Sequence, residues 1–345
     1  MLSTLRRALF NIISVLSLIY LVLLVVLSVI HILSPQRSGL LALTQVFAPY
    51  LFIPVLPIVP MALIRRARRF RVALVTALAL CAILFLVRFP PRLIAAPNQE
   101  HVGEMHLSAM AWNVLVGGRH EAVRSLLVTR PADIVALEEI SWDWIDSDKE
   151  ITRLYPYRSC IYRDDPIGGL CLLSVYPIVE DGIVDAPPGI WDKPRVMWAR
   201  LDLGEGRTLH VVVAHPPPPY IARAGFPMVG PYDTSKRDAR IAHIRASIEP
   251  YLQRGEPVLV LGDFNVTERE VAYTDLTQGL LDAYRLTGDG IGHTWGSRGL
   301  LGRWVPVLRI DYLLSSPDVI PLAASVDCTE RGSDHCIVYG RFEIR

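Results

Sequence analysis

Five short motifs in the last two-thirds of the chain place carboxylates, amides and histidines in or beside apolar, strand-like runs. They are Trp112-Asn113-Val114, Leu137-Glu138-Glu139-Ile140, Gly262-Asp263-Phe264-Asn265, Arg309-Ile310-Asp311-Tyr312 and Ser333-Asp334-His335. If these runs share a sheet rim, their polar side chains gather there. Oxygen ligands beside an imidazole suit a hard divalent cation and a phosphate ester. The spacing therefore predicts a metal-assisted site for phosphate chemistry.

The motif at 262–265 is the sharpest of the five. It follows the apolar run at 257–261, and side chains at i and i+2 leave a strand on the same side. Asp263 could then steer an attacking water, and Asn265 could hold a phosphoryl oxygen. The alternative is an ordinary turn, in which Asp and Asn are common.

Two further motifs follow apolar runs and offer oxygen ligands. A carboxylate at the end of a buried strand is costly unless it is paired or bound to a metal. Glu139 is therefore a candidate metal ligand, and a solvated helix start is the alternative. Asn113 could ligate or orient the ion, and a capping role is the alternative.

Two histidines have acidic neighbours. His215 closes the apolar run at 209–214, and His335 follows Asp334, while Asp311 lies just after Arg309-Ile310 on another strand. Such groups could position a water and protonate a leaving group. Taken singly, a histidine at the end of a buried strand is more often structural.

Two residues are candidate substrate contacts. Arg240 shares a helix with Arg237 and His243 at spacings of i, i+3 and i+6, and it could reach an anionic substrate. A solvated helix face is the alternative. Trp295 lies in an expected loop, where its ring could cover a substrate or simply pack.

The N-terminal hundred residues are unusually apolar. The 345-residue chain is 51% hydrophobic with mean hydropathy +0.33, which is high for a soluble protein. Transmembrane helices are expected at about 8–33, 40–64 and 71–88. The first two runs reach the ~20 residues that cross a bilayer, and arginines flank the third. Four prolines predict that the second is kinked or partly re-entrant.

Arginine placement predicts the orientation. Arg6, Arg7 and five arginines between 65 and 71 outnumber Arg37 in the first loop. The positive-inside rule then places the N-terminus in the cytoplasm and everything after Arg88 outside the cell membrane. If the third run does not span, the domain is cytoplasmic instead.

The rest of the chain divides into a linker at 91–105, rich in proline, and a domain at 106–345. Helices are expected at 121–129 and 236–253, between strands. The pattern favours two packed sheets with helices outside. The strands are expected at 107–116, 134–137, 169–174, 197–203, 209–214, 258–261, 309–314 and 336–342.

Charge and cysteines add two constraints. Residues 1–100 carry a net charge of +9 and residues 101–345 carry −8, so the domain has no general attraction to nucleic acid. An exported domain permits disulfides. We expect a disulfide between Cys160 and Cys171, with a turn at 165–166 between them. We also expect a disulfide between Cys328 and Cys336, for which free thiols are the alternative.

In their order and content, these motifs resemble those of the endonuclease/exonuclease/phosphatase (DNase-I-like) superfamily over residues 106–345. The resemblance implies a four-layered α/β-sandwich and a phosphoesterase that depends on Mg²⁺ or Mn²⁺. This chain has Glu138 where the family usually has Gln, and it has four prolines directly after His215.

The resemblance also implies roles for individual residues. Asn113 and Glu139 would hold the metal, with Asp334 as a further ligand. His215 would act as an acid or bind the phosphoryl group, while Asp263 would orient water and Asn265 the phosphate. Asp311 would orient a histidine, and Asp334 would pair with His335, which would contact the scissile phosphate.

The expected transmembrane helices would anchor the domain, and this anchor narrows the choice of substrate. Together with the site, it resembles bacterial membrane phosphatases linked to glycopeptide (vancomycin and teicoplanin) resistance. That implies a lipid-linked substrate such as a polyprenyl pyrophosphate or a phospholipid, and the bilayer as a partner, with no protein partner predicted. The alternatives are a membrane-anchored extracellular nuclease acting on nucleic acid and a non-catalytic binding module.

Overall fold

A computed structural model describes residues 2–65, 67–89, 104–116, 120–141, 144–162, 168–188, 193, 195–221, 232–298, 304–329 and 332–345. The chain divides into two compact units, residues 1–93 with 221–232 and residues 94–220 with 233–345. We call the first the helical unit and the second the α/β unit. Most of the linker expected at 91–105 lies outside the described residues.

The helical unit contains two long helices and a broken segment between them. By length and composition, the first and last helices are apolar enough to cross a membrane. The middle pieces meet at 77° and count as a third span only if they form one bent span. Prolines at 49, 54, 57 and 60 explain the break, since proline lacks the N–H that a helix needs. The elements are α1 (Leu2–Leu33), α2 (Gly39–Val46), a 3₁₀ helix (Ala48–Phe52), α3 (Val55–Ile64) and α4 (Arg68–Arg88).

Large apolar side chains cover the outside of the helical unit. Leu16, Leu56, Leu63 and Val87 are 59%, 70%, 69% and 66% exposed. A surface of this kind is unfavourable in water but matches lipid tails. These helices could therefore be membrane spans.

The α/β unit begins at Met105 and alternates strands with short helices. Its helices are α5 (His120–Thr129), α6 (Trp144–Ser147), α7 (Lys149–Leu154), α8 (Ser235–Gln253), α9 (Val271–Thr277) and α10 (Ala283–Thr287). Its strands are β1 (Met105–Asn113), β2 (Ile134–Ile140), β3 (Tyr157–Ile161), β4 (Gly169–Ser174), β5 (Ile178–Ile183), β6 (Val196–Gly204), β7 (Arg207–Ala214), β8 (Tyr220–Ile221), β9 (Tyr232–Asp233), β10 (Val258–Asp263), β11 (Leu281–Asp282), β12 (Trp295–Arg298), β13 (Trp304–Leu308), β14 (Asp311–Ser315), β15 (Val319–Asp327) and β16 (Ile337–Ile344).

Twelve of these strands form two six-stranded sheets. The first has the order β15-β16-β1-β2-β4-β3, and the second has the order β11-β14-β10-β7-β6-β5. Leu107, Ala111, Val211 and Leu261 contribute to the core in which residues from both sheets pack together. Because both faces of the central strands are buried, those strands are almost continuously apolar.

Helices cover the outer face of each sheet. Val123 and Leu126 of α5 pack with residues of the first sheet, and Ile241 and Ile244 of α8 pack with residues of the second. The result is an αββα sandwich, which confirms the four-layered α/β fold expected from the sequence.

The pairing of the central strands brings their ends to one edge. β1 runs parallel to β2, and β7 runs parallel to β10, while β14 is antiparallel to β10 and β16 is antiparallel to β1. The carboxyl ends of β1, β2, β7 and β10 therefore lie beside the amino ends of β14 and β16. We call this edge of the sandwich the rim.

Candidate active site

Polar side chains from six strands converge at the rim. Asn113 and Asp263 end β1 and β10, Glu139 lies near the end of β2, and Asp311 begins β14. Asp263 is the direct partner of Asp311 in the register of the second sheet. His215 follows β7, Asn265 follows β10, and His335 precedes β16.

Asn113 links the acidic groups of the two sheets. Its side-chain nitrogen donates to Glu139 Oε1 at 2.9 Å and to Asp263 Oδ2 at 3.1 Å. The second Glu139 oxygen accepts from the Val116 amide at 3.1 Å. One amide thus holds a carboxylate from each sheet, and carboxylate oxygens are the ligands that hard cations prefer.

His215 lies against the same two carboxylates. Its Nε2 is 3.6 Å from Glu139 Oε1 and 3.7 Å from Asp263 Oδ2. Burial, followed by the positive charge of Arg195, lowers the pKa of His215 to about 3. The imidazole is therefore neutral near pH 7.

His335 differs from His215 in the charge of its imidazole. Its Nδ1 lies 3.0 and 3.1 Å from the two Asp311 oxygens, and its Nε2 lies 3.6 Å from Asp263 Oδ2. Burial alone lowers the pKa of His335, but the Asp311 and Asp263 carboxylates outweigh it and raise that pKa to about 10. The rim thus contains one neutral and one positively charged imidazole.

Two carboxyl groups at the rim, Asp263 and Glu138, resist ionisation. Burial is the largest cause that raises the pKa of Asp263 to about 7, with Asp311 adding to it and His335 opposing it. Glu138 is 0% exposed, and burial followed by Asp311 and Asp263 raises its pKa well above the usual value. Among the described residues, neither Glu138 carboxyl oxygen has a hydrogen-bond partner.

The backbone at the rim is strained. Leu115, Glu139 and Asn265 have φ values of +61°, +59° and +51°, a region that costs most residues free energy. Gly262, at φ +135°, cannot be replaced without a clash, because a Cβ there would collide with the Ala214 carbonyl oxygen. Strain of this kind is often concentrated at functional sites.

Asp334 contacts a different partner from the one expected. The expected pair was Asp334 with His335, but His335 hydrogen-bonds to Asp311, and Asp334 Oδ2 accepts from the Trp295 indole at 3.0 Å. The imidazole is held by Asp311 and the Asp334 carboxylate by Trp295, so adjacency in the sequence does not decide the pairing. In the part of the chain that the structure describes, Asp334 Oδ1 is buried and has no hydrogen-bond partner.

Trp295 and Arg240, the two expected substrate contacts, have structural partners. The Trp295 indole is engaged by Asp334. Arg240 is 1% exposed and donates to the carbonyl oxygens of Val184 at 3.3 Å and Asp185 at 2.7 Å. Arg240 therefore lies neither on a solvated helix face nor where it could contact a substrate, because its guanidinium is inside the domain.

Several residues that support the site had no assigned role in the sequence. The Thr294 hydroxyl accepts from the Ile310 and Asp311 amides at 3.1 and 3.2 Å, and the Ser333 hydroxyl donates to the Asn113 carbonyl at 2.7 Å. Both hydroxyls fix the strand ends that carry acidic or amide groups. In the sequence, Thr294 is marked only by its place beside Trp295, and Ser333 only by its place in the motif Ser333-Asp334-His335.

Two disulfide bonds are present. Cys160 and Cys171 are direct partners on neighbouring strands β3 and β4, and their sulfurs are bonded. Cys328–Cys336 closes the segment that carries Asp334 and His335. The expected turn at 165–166 lies outside the described residues.

The donor set of the rim fits a divalent cation. Asp263 and Asp311 offer carboxylate oxygens within 4.8 Å of each other, beside the protonated His335 imidazole. Asn113 and Glu139 add oxygen donors, and the buried Asp334 Oδ1 lacks a hydrogen-bond partner among the described residues. Hard oxygen donors of this kind match Mg²⁺ or Mn²⁺ better than a soft metal.

Fold and site together define a hydrolase of phosphate esters. The sequence pattern of the endonuclease/exonuclease/phosphatase family matches residues 110–335. The chain therefore belongs to the endonuclease/exonuclease/phosphatase family, whose enzymes typically depend on a divalent metal. The comparison with curated protein sequences found no match.

Solved structures share the fold at low sequence identity. Truncated TDP2 from Caenorhabditis elegans is 17% identical with a TM-score of 0.54, covering 69% of this chain and 98% of that chain. The 3′ phosphatase NExo from Neisseria, bound to a product DNA hairpin, is 20% identical with a TM-score of 0.52, covering 68% and 99%. The human Nocturnin catalytic domain, with bound sulfate, is 18% identical with a TM-score of 0.53, covering 70% and 96%.

Proposed function

We propose that this protein is a membrane-anchored phosphoesterase that uses Mg²⁺ or Mn²⁺ to hydrolyse a lipid-linked phosphate or pyrophosphate. Its catalytic domain faces the outside of the cell membrane. The observation that carries the proposal is the single amide of Asn113 bridging Glu139 and Asp263, with His215 and His335 beside them. That arrangement supplies both a cation site and groups that can act on a phosphate.

Asn113, Glu139 and Asp334 would hold the cation. When bound, the ion supplies charge neutralisation at a non-bridging phosphate oxygen and at the leaving oxygen. The raised pKa of Asp263 and Glu138 supports this assignment, because buried carboxylates that repel one another gain most from a nearby cation.

The remaining groups would position water and phosphate. Asp263 accepts the Asn265 amide at 2.9 Å, so the Asp263 carboxylate is held where it can orient an attacking water. His335, positively charged and held by Asp311, would contact the scissile phosphate. No nucleophilic side chain is needed, because water attacks in line.

His215 would donate or accept a hydrogen bond at the phosphoryl group as a neutral imidazole. Its pKa of about 3 favours this role over that of a proton donor to the leaving group. The positively charged His335 would thus stabilise negative charge on the phosphoryl group, and the neutral His215 would fix the orientation of that group.

The anchor favours a lipid substrate. Two or three apolar helices near the N-terminus could hold the domain at a bilayer, which raises the effective concentration of any membrane-bound substrate. The net charge of −8 over residues 101–345 favours this substrate over a polyanionic nucleic acid. Undecaprenyl pyrophosphate is our preferred substrate.

A membrane-anchored nuclease is the second candidate. NExo from Neisseria was solved with a product DNA hairpin, and it shares the fold of this chain. A nuclease of this kind needs a basic groove and aromatic rings for stacking beside the rim.

The test is phosphate release from undecaprenyl pyrophosphate by the full-length protein in detergent with Mg²⁺. Asp263→Ala is the site variant, and Asp275→Ala, on α9 outside the site, is the control. We expect release that requires both Mg²⁺ and Asp263. Cleavage of a DNA hairpin instead, with the same requirements, would support the nuclease. Equal release by wild type and Asp263→Ala would remove the proposed site.

A further inference from the structure

A buried arginine on α8 holds the catalytic loop from behind. Arg237 is the third residue of α8, yet it is only 1% exposed. Its Nη1 donates to the Asn265 carbonyl at 2.8 Å, and its Nη2 donates to Glu270 Oε1 at 2.7 Å. The guanidinium therefore joins a helix outside the second sheet to the loop that carries Asp263 and Asn265.

Glu270 continues the connection along the same loop. Its second oxygen accepts from the Thr267 amide at 2.7 Å and from the Thr267 hydroxyl at 3.1 Å. Glu270 is 5% exposed. Charged hydrogen bonds away from water are stronger than neutral ones. The buried pair therefore holds the segment 265–270 in addition to its own turn, in which the Glu270 amide donates to the Thr267 carbonyl at 3.0 Å.

Asn265 needs that support because of its backbone. At φ +51° it occupies the left-handed region, which is unfavourable for most residues. The Asn265 amide donates to Asp263 Oδ1, and the Asn265 carbonyl accepts from Arg237. The peptide groups on both sides of Asn265 are thereby fixed, and its side-chain nitrogen is directed to the Pro216 carbonyl at 3.1 Å.

We infer that Arg237 and Glu270 are positioning residues that hold Asn265 and Asp263 in the geometry needed for phosphate hydrolysis. This inference rests on the proposed function of the rim. Neither residue touches the substrate. Loss of the Arg237 guanidinium releases the Asn265 carbonyl, and the Asn265 side chain then moves relative to the phosphate.

Arg240 provides a matched control on the next turn of the same helix. It is also 1% exposed and also donates to backbone carbonyls, but these belong to Val184 and Asp185. Arg237→Lys and Arg240→Lys therefore make the same chemical change at the same depth. They differ in which loop loses its support.

The first readout is amide hydrogen exchange of the full-length protein in detergent, which needs no substrate. In Arg237→Lys we expect exchange across 264–270 to rise about tenfold, with 183–186 unchanged. In Arg240→Lys we expect the reverse. Unchanged exchange across 264–270 in Arg237→Lys, or equal increases in both segments, would overturn the inference.

The second readout is a double-mutant cycle with the substrate that the wild type turns over, or with bis(p-nitrophenyl) phosphate. Arg237→Lys should lower kcat about 10- to 100-fold with KM nearly unchanged, since small displacements at a reacting centre are costly. In an Asn265→Ala background, Arg237→Lys should have no further effect. Equal losses in both backgrounds would contradict action through Asn265.

Two safeguards keep the outcomes distinct. If Arg237→Lys does not fold, Glu270→Gln serves instead, and the exchange of the Thr267 amide must then rise. If the wild type hydrolyses no phosphate ester, the proposed function fails, while hydrogen exchange still decides whether Arg237 holds the loop.

Discussion

Two buried groups of charged side chains differ in their balance of charge. One contains Arg309, and the other, at the rim, contains Asp311, only two residues later in the sequence. Arg309 makes a bidentate pair with Asp282 at 2.9 and 2.7 Å and also contacts Glu268 at 2.7 Å. Burial opposes the charge on Asp282, but Arg309 outweighs it and lowers the pKa of Asp282. We call these three residues the arginine cluster.

At the rim the balance is reversed. Burial and neighbouring carboxylates raise the pKa of Asp263 and of Glu138, so the ionised forms are unfavourable in the folded protein. In the arginine cluster, Arg309 therefore favours the ionised form of Asp282, whereas the rim carboxyl groups would gain stability from a bound cation. Both groups are buried, but only the rim contains carboxyl groups whose pKa is raised. Such carboxyl groups are candidates for a functional site, whereas a balanced ion pair is typical of a structural contact.

The largest expected effect separates activity from stability at the rim. Asp263→Asn keeps the size of the side chain but removes its charge, so we expect kcat to fall at least about 10³-fold. The same change relieves repulsion from Asp311 but also removes the attraction to His335, so the melting temperature in EDTA should change little. Initial rates with Mg²⁺ and thermal unfolding check the two halves, and parallel losses in both would contradict the comparison.

The arginine cluster should respond in the opposite sense. Asp282→Ala leaves the buried Arg309 charge without its bidentate partner, which costs about 3–5 kcal/mol. Urea unfolding of the full-length protein measures that loss. Activity per folded molecule should stay within about threefold of wild type. Among the residues that the structure describes, the hydrogen-bond partners of Asp282 are Tyr273, Arg285 and Arg309, none of which is at the rim. A thousandfold loss of kcat in folded protein would make the cluster part of the site.

The central strands could be predicted from the sequence, and the edge strands could not. β1, β2, β7 and β10 are buried on both faces, which gives an unmistakable apolar run. β3 and β5 are edge strands with mostly half-buried or exposed side chains, and no apolar run marks them. Because the site lies on the central strands, the motifs stood out before the fold was known.

The residues alone did not decide how distant groups pair, although the family resemblance implied that Asp311 orients a histidine. Adjacency favoured Asp334 as the partner of His335, but the neighbouring strand supplies Asp311. Similarly, the polar spacing of α8 suggested a solvated face, whereas Arg237 finds Glu270, 33 residues later. Burial of an arginine depends on a partner that only the tertiary structure provides.

Metal binding should sharpen the contrast between the two groups. A cation that binds only the folded protein stabilises it, by about 2.7 kcal/mol at a concentration of 100 times Kd. We expect Mg²⁺ to raise the melting temperature of the wild type, and Glu139→Gln to abolish that rise. Glu268→Gln, which alters the arginine cluster, should keep it. If Glu268→Gln loses the Mg²⁺-dependent rise in melting temperature and Glu139→Gln keeps it, the cation binds at the arginine cluster and not at the rim.

The smallest expected effect is the pH dependence of Glu138→Gln in EDTA. The pKa of Glu138 is raised above 4.5, so ionisation destabilises the wild type increasingly as the pH rises past that value. Replacing Glu138 with Gln removes this loss, and we expect a gain of about 1–3 kcal/mol near neutral pH. Below about pH 4 both side chains are neutral, so the gain due to charge disappears.

The matched control has the opposite slope. The pKa of Asp282 is lowered, so its contribution to stability is present above its ordinary pKa of 3.8 and is lost as the pH falls. Asp282→Asn should therefore cost most near neutral pH and least in acid, while Glu138→Gln gains most near neutral pH. Chemical unfolding at several pH values measures both slopes. Slopes of the same sign would mean that the rim carboxylates are already compensated, and the physical reason for placing the cation there would be lost.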